Sequence, residues 1–143
     1  MNASITTHAE EETMAAAERF AHELVNGDVV ALRGDLGSGK TQFAKGVCRG
    51  LGIREHVTSP TFTIVNEYTG GKFPVYHFDF YRIRSVNELK EIGYEEYINK
   101  NGICLLEWAD MIEEELPPQR YDVQLSLGKT NMERLIRISG VQK

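Results

Sequence analysis

The sequence GDLGSGKT at positions 34–41 decides how the rest of the chain is interpreted. It matches the phosphate-loop pattern G-x-x-x-x-G-K-[ST], in which glycines let the backbone approach an anion closely. An apolar run, Val29–Arg33, comes directly before it, and an amphipathic stretch of about Lys40–Leu51 follows. A strand, a glycine-rich turn and a helix in this order predict a nest of N–H groups at the positive end of a helix dipole.

Two side chains of the loop carry the predicted chemistry. Lys40 places a positive charge on the β- and γ-phosphates of a nucleotide, and Thr41 offers its hydroxyl to Mg²⁺. The pattern therefore predicts binding of a nucleoside triphosphate. The alternative is a turn that binds nothing, which requires the Lys-Thr pair and both flanking elements to coincide by chance.

Hydrolysis also needs a second carboxylate on the metal and a group that orients water. Asp79 follows VYHF and Glu107 follows ICLL, each at the end of a predicted strand. Ligands of open α/β sheets lie beyond the carboxyl ends of the strands, so both carboxylates could face the loop; the alternative for each is a solvated strand end. His77 shares a strand face with Asp79, and a hydrogen bond to it is favoured over a metal pair.

Three further features of the sequence each allow two interpretations. The segment Ser59-Pro60-Thr61-Phe62 falls where phosphate-loop proteins often have a switch, but a turn entering a strand also explains it. Arg82 and Arg84 could stabilise developing phosphate charge or simply face solvent. Trp108 is the only tryptophan and is expected in the core, with a contact surface as the alternative.

The remaining pattern predicts a mixed α/β fold, with a central sheet, antiparallel additions and flanking helices. Alternating or apolar runs predict strands around Phe62–Tyr68, Val75–Tyr81 and Ile103–Leu106, and a hairpin across Gly128. Thr7 and Glu10 fit a capping box before the first helix. Ser85 and Glu88 fit a second capping box, which opens one helix to about Asn99.

Composition bounds the class of protein. The 143 residues are 41% hydrophobic and 26% charged, as expected for a single folded domain spanning 1–143. The balance of 16 basic and 21 acidic residues gives a net charge of −5, which disfavours DNA or RNA as a direct partner. No apolar run approaches the roughly 18 residues that span a bilayer, and no secretory h-region is present, so no membrane partner and a cytoplasmic location are expected.

Two motifs that are absent from the sequence bear on the class of reaction. The guanine-reading motif N-K-x-D is absent, which disfavours a GTPase. A small-molecule phosphotransferase using the same loop is the alternative function, although no separate Arg-rich lid segment is evident.

Together, the motifs GDLGSGKT, SPTF, HFDFYR and LLEW, in this order and spacing, closely resemble the TsaE family, also called YjeE. Its members are small bacterial phosphate-loop ATPases needed for making threonylcarbamoyladenosine in tRNA. The resemblance runs from about Thr13 to Trp108 and implies a P-loop NTPase-like fold. It also matches the stretch Ala9–Thr13 to the family's segment near the adenine.

The resemblance implies roles for individual residues. The phosphates of ATP would be held by Leu36, Gly37, Ser38, Gly39, Lys40 and Thr41. Thr41 and Glu107 would be associated with Mg²⁺, and Asp79 would support metal or water; which carboxylate touches the metal stays open. Lys40 and Thr61, the latter in the switch-like segment, would complete the catalytic group, and Trp108 would lie near the nucleotide.

The resemblance further implies an indirect role. In this family the threonylcarbamoyl transfer belongs to a partner, TsaD, which acts with TsaB. ATP hydrolysis would reset that pair between turnovers, so tRNA is reached only through the assembly. Hydrolysis by the protein alone is then expected to be weak and partner-dependent.

Overall fold

A computed structural model describes residues 2–60 and 64–140. In these ranges the strands are β1 (Asn2–Thr7), β2 (Val29–Arg33), β3 (Val65–Tyr68), β4 (Val75–Asp79), β5 (Ile103–Glu107), β6 (Tyr121–Leu127) and β7 (Arg134–Gly140). The helices are α1 (Glu10–Ala21), α2 (Lys40–Gly50), α3 (Val86–Glu91), α4 (Tyr94–Ile98) and a 3₁₀ helix, Ala109–Glu115. None of these helices has both the length and the apolar character needed to cross a membrane.

The strands form one sheet with the order β1-β7-β6-β2-β5-β4-β3. The four central strands, β6, β2, β5 and β4, run parallel, while β1, β7 and β3 pair antiparallel at the two sides. Strands covered on both faces need continuous apolar sequence, which VVAL in β2 and ICLL in β5 supply. The predicted mixed α/β fold with antiparallel additions is confirmed.

Each face of the sheet carries its own apolar core. Alternate side chains of β2 and β5 point to opposite faces, as the strand period of two requires. The helices α1 and α2 cover one face, where the buried residues include Phe20, Val30, Leu32, Phe43, Ile103 and Leu105. The shorter helices α3, α4 and the 3₁₀ helix cover the other, with Val29, Ala31, Leu89, Tyr94, Leu106 and Ile112. The site therefore rests on a sheet that is fixed from both sides.

The first predicted capping box is wrong. Thr7 is the last residue of β1, where it pairs with Arg134 of β7, and the residue before α1 is Ala9. The Thr7 hydroxyl shares a hydrogen bond of 2.7 Å with the Thr13 hydroxyl and does not cap the helix with Glu10. Pairing with β7 extends β1 through Thr7, so the helix begins two residues later, after Ala9, and the local capping signal is overridden.

The second capping signal is confirmed at its start, but the helix that it opens is shorter than predicted. The Ser85 hydroxyl accepts a hydrogen bond from the Glu88 amide at 3.4 Å. The helix ends near Glu91, and Gly93, with a φ of 76°, turns the chain before α4 begins. Glycine adopts this left-handed backbone without the steric penalty of other residues, so the single helix predicted to Asn99 becomes two.

Both cysteines should be inert while the protein is folded. Cys48 on α2 and Cys104 on β5 are buried, and burial raises the pKa of each thiol to about 12. Because the thiolate is the reactive form, the native protein should react with a disulfide reagent such as DTNB far more slowly than the unfolded chain. Thiol release in buffer and in 6 M guanidinium checks this, and rapid labelling of either cysteine in buffer would contradict it.

Candidate functional site

The loop 34–41 joins β2 to α2 through glycines with positive φ. These φ angles are 144° at Gly34, 82° at Gly37 and 103° at Gly39. A Cβ added at Gly34 would lie 2.4 Å from the Leu125 carbonyl oxygen and 2.5 Å from Ser38 Oγ. A Cβ at Gly37 would meet nothing within 4 Å. The inner side of the bend is therefore packed to the limit, while its tip is open.

The loop residues predicted to hold phosphate differ in exposure. Leu36 and Gly37 form the exposed tip, whereas Ser38 is fully buried. The Ser38 hydroxyl has no hydrogen-bond partner among the described residues. Gly39 directly precedes α2, and the first turn of this helix contains no Asp or Glu. Amide groups at this helix start, without nearby acidic side chains on the same turn, suit an anion.

Lys40 lies inside the bend with its ammonium held by the loop itself. Its Nζ donates to the carbonyl oxygens of Gly34 at 2.5 Å and Asp35 at 2.9 Å. The ring centre of Trp108 is 4.0 Å from the same nitrogen, within the range of a cation–π contact. Burial lowers the pKa of Lys40, and the charges of nearby carboxylates, led by Glu107, oppose that shift.

The two predicted carboxylates lie side by side. Asp79 ends β4 and Glu107 ends β5, and the parallel register pairs them directly. Asp79 is 8% exposed and Glu107 is 2% exposed, so the interpretation of both as solvated strand ends is wrong. The Thr41 hydroxyl donates to Glu107 Oε1 at 3.1 Å. The fold thus brings Lys40, Thr41, Asp79 and Glu107 together at the carboxyl ends of the parallel strands.

Asp79 is held by the segment that precedes it and by the turn that follows it. Its Oδ2 accepts a hydrogen bond of 2.6 Å from the Ser59 hydroxyl, and its Oδ1 accepts one of 2.9 Å from the Tyr81 amide. Sequence reasoning assigned the switch hydroxyl to Thr61, which lies with Phe62 outside the described residues. The contact of Ser59 was missed, although the same SPTF motif contains it.

His77 binds the carboxylate of the neighbouring strand. Its Nε2 is 2.5 Å from Glu107 Oε2, and the ring is fully buried. A hydrogen bond to an acidic residue was predicted, but the expected partner was Asp79. Among residues 2–60 and 64–140, no group of three or more His, Cys, Asp or Glu residues is arranged to hold a metal ion.

Trp108 is half-buried: it packs against the core on the face that α3 and α4 cover, as predicted, and it also lies beside Lys40 in the site. Its backbone is left-handed, with a φ of 58° and a ψ of 42°, and its ring lies 4.7 Å from that of Tyr81. A bulky residue in this conformation is strained by roughly 1–2 kcal/mol, so its surroundings must hold it there. Arg82 and Arg84, the predicted candidates for contact with phosphate, are exposed.

A cavity of about 220 Å³ lies beside the loop. It is lined by Glu10, Thr13, Gly37, Gly39, Gln42, Met132 and Arg134. A larger cavity of about 690 Å³ lies between α3, α4 and the end of the 3₁₀ helix, and no loop residue lines it. The space adjoining the glycine bend is therefore the smaller one, between the start of α1 and the turn before β7.

A parallel strand, a glycine bend and a helix that begins at Lys-Thr define a phosphate-loop α/β protein. The family model described as "Threonylcarbamoyl adenosine biosynthesis protein TsaE" matches residues 7–136, and the chain belongs to this family. The family takes part in the biosynthesis of threonylcarbamoyladenosine in tRNA. The resemblance drawn from the four motifs is confirmed.

Individual relatives agree with this assignment. The chain is 50% identical over 113 residues to the tRNA threonylcarbamoyladenosine biosynthesis protein TsaE of Bacillus subtilis, covering 79% of this chain and 70% of the relative. The chain is 39% identical over 127 residues to the tRNA threonylcarbamoyladenosine biosynthesis protein TsaE of Rickettsia typhi, and the match covers 88% of each protein. A crystal structure of Bacillus subtilis YdiB matches with a TM-score of 0.85 at 40% identity, over 99% of this chain and 87% of that one.

The two glycines at opposite sides of the bend should respond differently to substitution by alanine. Gly34→Ala adds a clash with the Leu125 carbonyl to the strain of its positive φ and should lose more than about 2 kcal/mol of unfolding free energy. Gly37→Ala adds only the strain and should lose about 1–2 kcal/mol. Urea unfolding of both variants provides the measurement, and equal losses would show that the inner side of the bend is not tightly packed.

Proposed function

We propose that this protein is a Mg²⁺-dependent ATPase that supports threonylcarbamoyladenosine formation in tRNA by binding and resetting a complex of TsaB and TsaD. The supporting observation is that Lys40, Thr41, Asp79 and Glu107 lie together where the parallel strands end. Phosphoryl transfer to water in phosphate-loop proteins uses a lysine, a hydroxyl and carboxylates in this arrangement.

The donor set fits magnesium. Mg²⁺ prefers oxygen ligands and is usually held by one or two carboxylates, phosphate oxygens and water, not by a cage made of protein alone. Thr41 and Glu107, already joined by a hydrogen bond of 3.1 Å, would hold the ion. Asp79 is adjacent and would bind the ion or a water. When bound, the ion neutralises charge that develops on the transferred phosphate.

The chain's own groups would supply the remaining steps. The amides of residues 36–41 and the Lys40 ammonium would bind the phosphate oxygens, with Lys40 exchanging its carbonyl partners for phosphate. Asp79 would orient the attacking water, since two hydrogen bonds fix both of its oxygens. The indole of Trp108 over Lys40 would restrict access of bulk water to the ammonium.

The cavity of about 220 Å³ beside Thr13 is the proposed place of the adenine. Thr13 lies in the N-terminal stretch that corresponds to the family's segment near the base. Its hydroxyl is buried and bonded to that of Thr7, which fixes the wall of the cavity. ATP is proposed over GTP because the chain lacks an N-K-x-D motif.

Dependence on TsaB and TsaD is proposed from family membership and from two features of this chain. The net charge of −5 disfavours strong direct binding of tRNA, which is itself a polyanion. The Ser59 hydroxyl donates a hydrogen bond to Asp79, so a partner that binds at Ser59 would act directly on a carboxylate of the site. The proposed location is cytoplasmic, where tRNA is modified.

Lys40→Ala should remove the charge aimed at the phosphates. We expect at least about tenfold weaker ATP binding or turnover, because a charge-assisted contact contributes about 1.5–3 kcal/mol. ATP hydrolysis is measured with and without TsaB and TsaD. Lys45→Ala, on the same helix but outside the loop, is the control and should behave as wild type. A wild-type protein that neither binds ATP nor is stimulated by the two partners would count against the proposal.

Glu107→Gln should impair hydrolysis more than folding. The amide keeps the size of this buried side chain, and it removes the charge expected on the metal. We expect kcat to fall by about 10²-fold while the melting temperature changes little. Phosphate release and thermal unfolding of the same preparation separate the two effects. Normal hydrolysis with a large loss of stability would assign Glu107 a structural role instead.

A further inference from the structure

His77 is a fully buried polar side chain that the proposed hydrolysis does not use. It lies at the centre of β4, the second strand from one side of the sheet, on the face that α1 and α2 cover. Its Nε2 meets Glu107 Oε2 at 2.5 Å, while Nδ1 has no hydrogen-bond partner within residues 2–60 and 64–140. Burying a polar ring in an apolar layer is unfavourable unless its contacts compensate, so this one hydrogen bond needs an explanation.

The hydrogen-bond geometry indicates which ring nitrogen carries the hydrogen that faces Glu107. A carboxylate can only accept, so Nε2 carries the hydrogen that points at Glu107. A hydrogen on Nδ1 would be a buried donor without an acceptor, which carries the full penalty of an unmade hydrogen bond. Placing a hydrogen on Nε2 and none on Nδ1 satisfies both conditions. His77 is therefore oriented as a donor toward one oxygen of Glu107.

The two oxygens of Glu107 are held by different parts of the fold. Oε1 accepts from the Thr41 hydroxyl at the start of α2, and Oε2 faces His77 on β4. Thr41 is also the residue proposed to bind Mg²⁺, so its hydroxyl has two tasks. The contact from β4 is independent of the loop, and it keeps the carboxylate oriented whichever way the Thr41 hydroxyl turns.

We propose that His77 is a positioning residue that holds Glu107 in the orientation needed for a divalent cation, and so sets the Mg²⁺ affinity of the nucleotide complex. The proposal rests on the proposed function. Hydrogen-bond partners of metal ligands typically change metal affinity or activity by 10–100-fold when they are removed. His77 itself would not touch metal or substrate.

Two variants of similar length separate the hydrogen bond from the shape of the side chain. His77→Gln keeps an N–H donor at about the same reach, and His77→Met fills a similar space without one. Val75→Ala is the control: it lies on the same strand and the same face, is fully buried, and loses packing only. Melting temperatures of all three measure how much each change affects folding.

Binding of a fluorescent ATP analogue is titrated in EDTA and then at increasing Mg²⁺. In EDTA all variants should match the wild type within about twofold. At saturating nucleotide, His77→Met should need about 10–100 times more Mg²⁺, while His77→Gln and Val75→Ala stay within about threefold of wild type. An unchanged Mg²⁺ requirement in His77→Met overturns the proposal. An equal loss in His77→Gln overturns it too, because the N–H would then not be the relevant feature.

A second measurement needs neither nucleotide nor a folded His77→Met. Nitrogen NMR of the imidazole rings in the wild type should show His77 protonated on Nε2 and not on Nδ1, with a shift of the Nε2 signal in Glu107→Gln. Protonation on Nδ1 would overturn the positioning role. If the wild type fails to bind Mg²⁺ and ATP, the proposed function fails, whereas the NMR result still reports the His77–Glu107 contact by itself.

Discussion

The site depends on the parallel pairing of β5 with β2 on one side and β4 on the other. This register sets Leu32 of β2 beside Glu107 and Glu107 beside Asp79. Parallel strands end at the same edge, so the turns that follow β2, β4 and β5 meet there. The glycine bend, the Tyr81 turn and Trp108 come from these three turns. A slip of one residue in either pairing would turn Glu107 or Asp79 to the opposite face of the sheet.

Charge compensation explains why so many ionisable groups stay buried at this edge. Lys40 is 5% exposed, close to the values of Asp79 and Glu107, and each of the three has hydrogen-bond partners in the structure. An isolated buried charge is strongly unfavourable, whereas paired and hydrogen-bonded charges persist. The Lys40 ammonium donates to backbone carbonyls and interacts with Glu107 and Asp79 only through longer-range electrostatics, so one positive charge is set against two carboxylates. A triphosphate would be repelled unless a divalent cation came with it, which is why the proposed function includes Mg²⁺.

Sequence was sufficient where the deciding signal is local and strong. The bounds of β2 and the start of α2 agree with the prediction, because an apolar run between glycines and a Lys-Thr helix start leave few alternatives. It was insufficient where a distant segment competes with the local signal. Thr7 would cap α1, but β7, more than 120 residues away, holds it in a strand. The break at Gly93 has a visible cause, a single glycine, but glycine is also tolerated inside helices.

Within the site, the residues of the contiguous motif at positions 34–41 were predictable from the sequence. The contacts between residues far apart in the chain were not. His77 meets Glu107 over 30 positions through the pairing of β4 with β5, and Ser59 meets Asp79 over 20 positions from an irregular segment before β3. Periodicity encodes neither contact. The left-handed backbone of Trp108 is harder still, because nothing in the sequence favours positive φ for this residue. It is explained only by what surrounds it. The ring lies between Lys40 and Tyr81, so the chain must turn sharply at the end of β5 to bring it there.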